Sequence, residues 1–178
     1  MGFQSTVNIN YAFGVVGELI FDGPQRADSL IMNSSGTPNV IGYAFTKSAT
    51  TNIAVVGGAI TPGATAFAGI LCNPKVYASR GTSGQPLAPS LVLPDNSQGE
   101  FVTMGTIVVN CVANATQTGA KIGDVVLYNL SASGIAVGAI SALTPGVSIP
   151  AGWAAVPNAY VRDYPTTAAG LIAINLTN

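Results

Sequence analysis

Glycine and proline recur along the whole chain, 21 and 11 of them in 178 residues. They leave no long uninterrupted stretch for a helix. Between them lie short runs rich in Val, Ile and Thr, which is strand material bounded by turn residues. No segment repeats apolar residues every 3.6 positions with a cap at each end. The expected fold is all-β, a β-sandwich or jelly-roll-like barrel with an extended N-terminal arm. Its most apolar stretches, such as Thr106 to Val112 and Gly123 to Leu127, have strand lengths. None approaches the run of about 18 apolar residues that reads as a membrane helix.

The punctuation sets the organisation. Residues 1–32 read as an N-terminal arm and first strands, and residues 33–178 as a single β domain. In the arm, Phe3, Val7 and Ile9 alternate with Gln4, Asn8 and Asn10. Phe21-Asp22-Gly23-Pro24-Gln25 is a turn signal, and Asp28 to Met32 reads as a short strand or one helical turn. Strands are expected over Val40–Thr46, Ile53–Ile60, Ala66–Cys72, Ser90–Leu93, Glu100–Met104 and Thr106–Val112. Gly105 is a candidate bulge or kink. Gly123–Leu130 and Ile135–Ile140 flank Ser131-Ala132-Ser133-Gly134 as a hairpin. Ala159–Tyr164 and Leu171–Leu176 close the chain. Thr61-Pro62-Gly63 has the residue order of a type II turn. It returns in Thr144-Pro145-Gly146, which reads as reuse of a good turn.

One strand is unusual. Ile107, Val109 and Cys111 face one way, while Thr106, Val108, Asn110 and Val112 face the other. Both faces are largely apolar. Such a strand is expected to be covered on both sides, by its own core and by something else.

Charge narrows the function. Only 7% of residues are charged, against about 25% in an ordinary soluble domain. A chain this size exposes roughly 8,000 Å², about one charge per 600 Å². Ser, Thr, Asn and Gln must supply the surface polarity, or partners must cover it. Net charge is −1, and Arg26, Lys47, Lys75, Arg80, Lys121 and Arg162 are scattered singly. Neither a nucleic acid nor an anionic membrane finds a basic patch here.

Chemistry is equally sparse. There is no histidine, which removes Ser-His-Asp and Cys-His arrangements and the commonest metal ligand. Neither G-x-G-x-x-G nor G-x-x-x-x-G-K-[ST] occurs. Cys72 and Cys111 read as two buried reduced thiols, with a disulfide left open. Glu18, Asp22 and Asp28 are the remaining catalytic candidates, since two carboxylates can hydrolyse a glycosidic bond. Their loop-like surroundings, with only Arg26 near, favour solvated or interface charges. Asp124 is expected to set a turn through its side chain, and Arg162–Asp163 reads as an exposed pair or a rim contact. Trp153, followed by Tyr160 and Tyr164, reads as a core or interface anchor. The start lacks the basic and apolar regions of a signal peptide. Its M-G-x-x-x-[ST] pattern and the N-x-[ST] sequons at Asn33, Asn114, Asn129 and Asn175 read as products of composition. No catalytic, cofactor-binding or metal residue is assigned, and no cofactor is expected.

Four blocks in order carry a resemblance: Phe3-Gln4-Ser5-Thr6-Val7-Asn8; Val16-Gly17-Glu18 with Pro24-Gln25-Arg26-Ala27; Lys121-Ile122-Gly123-Asp124-Val125-Val126-Leu127-Tyr128; and Ala169-Gly170-Leu171-Ile172-Ala173-Ile174-Asn175-Leu176. Together they resemble the structural cement (capsid decoration) proteins of tailed bacteriophages. Residues 82–98 match nothing in that pattern. The resemblance implies a non-enzymatic structural protein on the outside of an icosahedral head, cementing neighbouring major capsid subunits. It implies homo-oligomers, trimers favoured and dimers possible, and synthesis in the host bacterial cytoplasm; from the charge pattern, neither nucleic acid nor membrane is expected as partner. The alternative is a head-fibre or adhesin-type β module that binds host surface glycans through an aromatic cluster around Trp153.

Overall fold

The computed structural model describes residues 14–72 and 92–177. Twelve strands run in chain order: β1 (Leu19–Ile20), β2 (Arg26–Met32), β3 (Asn39–Val40), β4 (Ala44–Ser48), β5 (Ile53–Val56), β6 (Thr65–Leu71), β7 (Val92–Leu93), β8 (Gln98–Cys111), β9 (Val125–Asn129), β10 (Ile140–Leu143), β11 (Trp153–Asp163) and β12 (Gly170–Leu176). No helix forms among the described residues. The all-β expectation holds, in barrel form. Of the expected N-terminal arm and first strands, residues 1–32, the first 13 lie outside the described residues, as do residues 82–91 of the 82–98 segment.

The pairing closes on itself twice. β8 pairs with β2, then β5, β4 and β6, and β6 returns to β8. β8 also pairs with β12, then β11, β9 and β10, and β10 returns to β8 through Ile140 beside Cys111. Two five-stranded rings thus share one strand of 14 residues. Ring closure leaves few free backbone groups at sheet edges. β8 changes partners at Gly105, the expected kink: Met104 pairs with Arg26 and Gly105 with Leu176.

Alternation along each strand fills each ring. The first holds Leu30, Met32, Phe45, Ala54, Val56, Ala68, Leu71 and Phe101, with the Phe45 and Phe101 rings 5.0 Å apart. The second holds Ile107, Val109, Cys111, Val126, Tyr128, Ile140, Ile172 and Ile174, and its cluster continues across the joint into Ala44, Ile70 and Val102. The joint is hydrogen-bonded as well as packed. Ala44 N–H donates to the Gly138 carbonyl (2.9 Å) and Gly57 N–H to that of Ala44 (2.9 Å). The Tyr128 hydroxyl donates to the Gly58 carbonyl at 2.9 Å.

Several local expectations change in the folded chain. Asp28–Met32 is strand, inside β2. The Val40–Thr46 run splits at Ile41-Gly42 into β3 and β4. The hairpin forms, but its second strand is β10 rather than Ile135–Ile140. Asn129 Nδ2 donates to the Ile135 (2.8 Å) and Ala136 (3.2 Å) carbonyls, which holds that run as a loop. The Thr-Pro-Gly turns are both as read: Ala64 N–H reaches the Thr61 carbonyl at 3.0 Å and Val147 N–H that of Thr144 at 3.2 Å. Part of the second face of β8, at Thr106 and Val108, is covered by the chain itself, while Asn110 on the same face stays exposed. Gly17 N–H donates to the Val108 carbonyl (2.8 Å), and a methyl on Gly14 would lie 3.3 Å from the Val108 side chain.

Candidate functional site

The carboxylates singled out by sequence do not converge. Glu18 accepts from Val15 N–H at 3.0 Å, Asp22 pairs with Arg162, and Asp28 pairs with Lys47 at 3.3 Å. Each thus faces its own partner instead of a shared cleft, which removes the geometry a two-carboxylate hydrolase needs. Among the described residues, no three His, Cys, Asp or Glu side chains meet as metal ligands.

Asp124 behaves as its position predicts. Its buried carboxylate accepts Lys121 N–H at 2.8 Å and the Gln117 amide. Gln117 Oε1 in turn accepts from Thr144 N–H and Oγ1, both at 3.0 Å. This polar network ties the 114–124 loop to the start of the 144–150 loop. Cys72 and Cys111 are both free and buried. Burial pushes the Cys72 thiol up to about 12, helped by the nearby Glu100 carboxylate. Burial and Asp124 push Cys111 up to about 11. Thiols raised in this way stay protonated near neutral pH, which makes them poor nucleophiles. Of the sequons, Asn114 and Asn129 are buried, so their amides serve the fold.

Trp153 is buried, with Leu127 and Leu143, under Ile135 and Ala132. It is an anchor of the second ring. The glycan alternative required an exposed aromatic cluster around Trp153, and Trp153 itself is buried.

What the surface does present is apolar. Phe21 is 84% exposed and Ile122 63%. Ile31, Ile53 and Val55 stand outside β2 and β5, and Val147, Ile149, Tyr160 and Tyr164 outside the second ring. Ile31 and Ile53 are direct neighbours in register. Ion pairs among the described residues are three in number and do little to break these patches up. The sequence indicated that such residues must exist, through its low charge, but not which ones they are. Phe21 lies in a segment read only as a turn. One hollow, of about 390 Å³, opens between Asp22–Pro24 and Arg162 and is also lined by Met104, Gly105 and Leu176.

A body made of closed rings, with large apolar side chains turned outward, has the build of a structural protein that works through its surface. The comparisons agree. The model of the structural cement protein family (E217 gp24/Pam3 gp6) matches residues 3–177, and the chain belongs to that family. A chain in the solved capsid of Myoviridae phage XM1 has the same fold, with a TM-score of 0.62 at 16% identity over 99% of this chain and 98% of that one. No curated protein matches the sequence.

Proposed function

We propose that this chain binds the outside of an icosahedral phage head and cements neighbouring major capsid subunits against the pressure of packaged DNA. The observation that carries this reading is the family match over residues 3–177. The physics supports it. With 7% charged residues, few ions lose their water when large surfaces close. Outward Phe, Ile, Val and Tyr side chains suit an interface of the obligate kind, which resembles a domain core cut in half.

The work is adhesion without catalysis. The chain acts as a homo-oligomer, a trimer at local threefold positions in preference to a dimer, made in the host cytoplasm and carried on the virion exterior. Phe3, Val7 and Ile9 anchor the first ten residues to a neighbouring subunit by strand addition.

The test is sedimentation with purified heads that lack the protein. Saturable co-sedimentation, lost when residues 1–10 are deleted, is expected. Absence of binding at any ratio overturns the reading, and full retention of the deletion variant overturns the role of the arm.

A further inference from the structure

The geometry points to a preformed docking surface on the second ring, built on Phe21 and Tyr160 with Arg162 between them, that takes an apolar, positively rimmed pocket of a major capsid subunit; this rests on the head-binding reading above.

Phe21 is the most exposed large apolar side chain among the described residues, at 84%. Its turn is nonetheless held in place. Asp22 N–H closes a tight turn onto the Ile20 carbonyl at 3.1 Å. The Gln25 amide donates to the same carbonyl at 2.7 Å. The Asp22 carboxylate is clamped by Arg162, whose guanidinium also donates to Thr106 Oγ1 at 2.9 Å. An aromatic side chain held out on a stapled turn loses little freedom when a partner closes on it.

The strand register sets what lies beside it. Tyr160 is opposite Asn175, Asn175 opposite Thr106, and Thr106 opposite Ile20, the residue before Phe21. Three strand spacings of about 4.8 Å separate the two ends of that row. Tyr160 is 40% exposed, and its hydroxyl is fixed by the Asn175 amide at 2.8 Å. The hollow of about 390 Å³ opens along this row, beside the Phe21 turn.

Phe, Tyr and Arg are the residues enriched where proteins bind proteins, and two such aromatics at the ends of one register row, with an arginine between them, form a hot-spot pattern. Two carboxylates, Asp22 and Asp163, face the single guanidinium of Arg162. This ion cluster carries one net negative charge, with Arg26 at the far side of the hollow opposite Met104, and a complementary partner sets a Lys or Arg against the two carboxylates.

The experiment measures binding of the full chain to heads lacking it, for the parent and for Phe21→Ala, Tyr160→Ala and Ile122→Ala. Because Phe21 packs on little of its own chain, Phe21→Ala is expected to keep the parent Tm and oligomeric state while weakening head binding at least tenfold. Tyr160→Ala is expected to weaken it several-fold, and Ile122→Ala, an exposed control on another turn, to bind as the parent does. Parent-like binding by Phe21→Ala overturns the inference. So does a lowered Tm or altered oligomeric state in that variant, which would place Phe21 inside the protein or between copies of it. If the parent itself does not bind, the head-binding reading fails, and this one with it.

Discussion

Gly57 and Gly138 meet backbone to backbone at the joint between the two rings: a methyl on Gly57 would lie 3.1 Å from the Gly138 nitrogen, and one on Gly138 3.2 Å from the Gly57 nitrogen. The Ala44 peptide is hydrogen-bonded between them, its N–H to Gly138 and its carbonyl to Gly57. Close approach of three backbones leaves no room for a side chain. It fixes one ring against the other.

Gly138→Ala should therefore be costly. The new methyl would meet the Val56 side chain at 2.6 Å and the Ala44 carbonyl oxygen at 2.9 Å, at a φ of +82°. Overpacking of about 1–3 kcal/mol and a left-handed backbone penalty of about 1–2 kcal/mol add to roughly 2–5 kcal/mol. Gly63→Ala has a similar φ of +80° but open space around it, so only the backbone penalty of about 1–2 kcal/mol applies. Urea unfolding of the two variants checks the difference. Equal losses would show that the joint yields.

Asp124→Ala should cost about 2–3 kcal/mol, because it strands the Lys121 N–H and the Gln117 amide that its buried carboxylate now accepts. Gln117 would also lose its hold on Thr144. Hydrogen exchange should report the loosening at Lys121 and Thr144 first. Unchanged protection there would remove the network from the account.

Asp95 predicts the acid limb. Ser34 N–H, the Asn39 amide and Gly36 N–H hold its carboxyl below the ordinary value of 3.8. A depressed folded pKa means that the stabilisation is complete above the ordinary value and fades as pH falls through the folded one. Stability should drop below about pH 4, and Asp95→Asn should be less stable at pH 7 with a shallower acid decline. An acid limb identical to the parent's would contradict this.

The two thiols predict the alkaline limb with the opposite sign. Their folded pKa values, about 12 for Cys72 and about 11 for Cys111, stand above the ordinary 9.0. Their contribution is whole below the unfolded value and is lost as pH rises from 9 toward 11 and 12. At pH 8 a thiol reagent should label neither cysteine faster than the chain unfolds, and reductant should leave Tm unchanged. Rapid labelling of Cys111 would show an opening beside β10.

Much of this was legible in the sequence, and the limits have physical causes. Turn chemistry is local, so Thr61-Pro62-Gly63, Asp124 and the closing β11–β12 hairpin could be read from their own residues. The double ring could not. It depends on β8 pairing with β2, β6, β10 and β12 at once, and long-range pairing leaves no local mark. The two apolar faces of Thr106–Val112 showed that the strand is covered twice, but part of the second cover is the chain's own Gly14–Glu18 segment. Trp153 followed by two tyrosines suited either a core anchor or a sugar platform. Only the packing with Leu127 and Leu143 chose the core. Phe21 sits in a polar turn without periodicity, and nothing local distinguished a displayed aromatic from a buried one.

The central claim is tested most directly by a cryo-EM map of the intact phage head. The account predicts the two-ring body as density on the outer surface, straddling boundaries between major capsid subunits, with the Phe21 turn against the shell. Density for this chain inside the head, on the tail, or on the face of one subunit without touching its neighbours would contradict it.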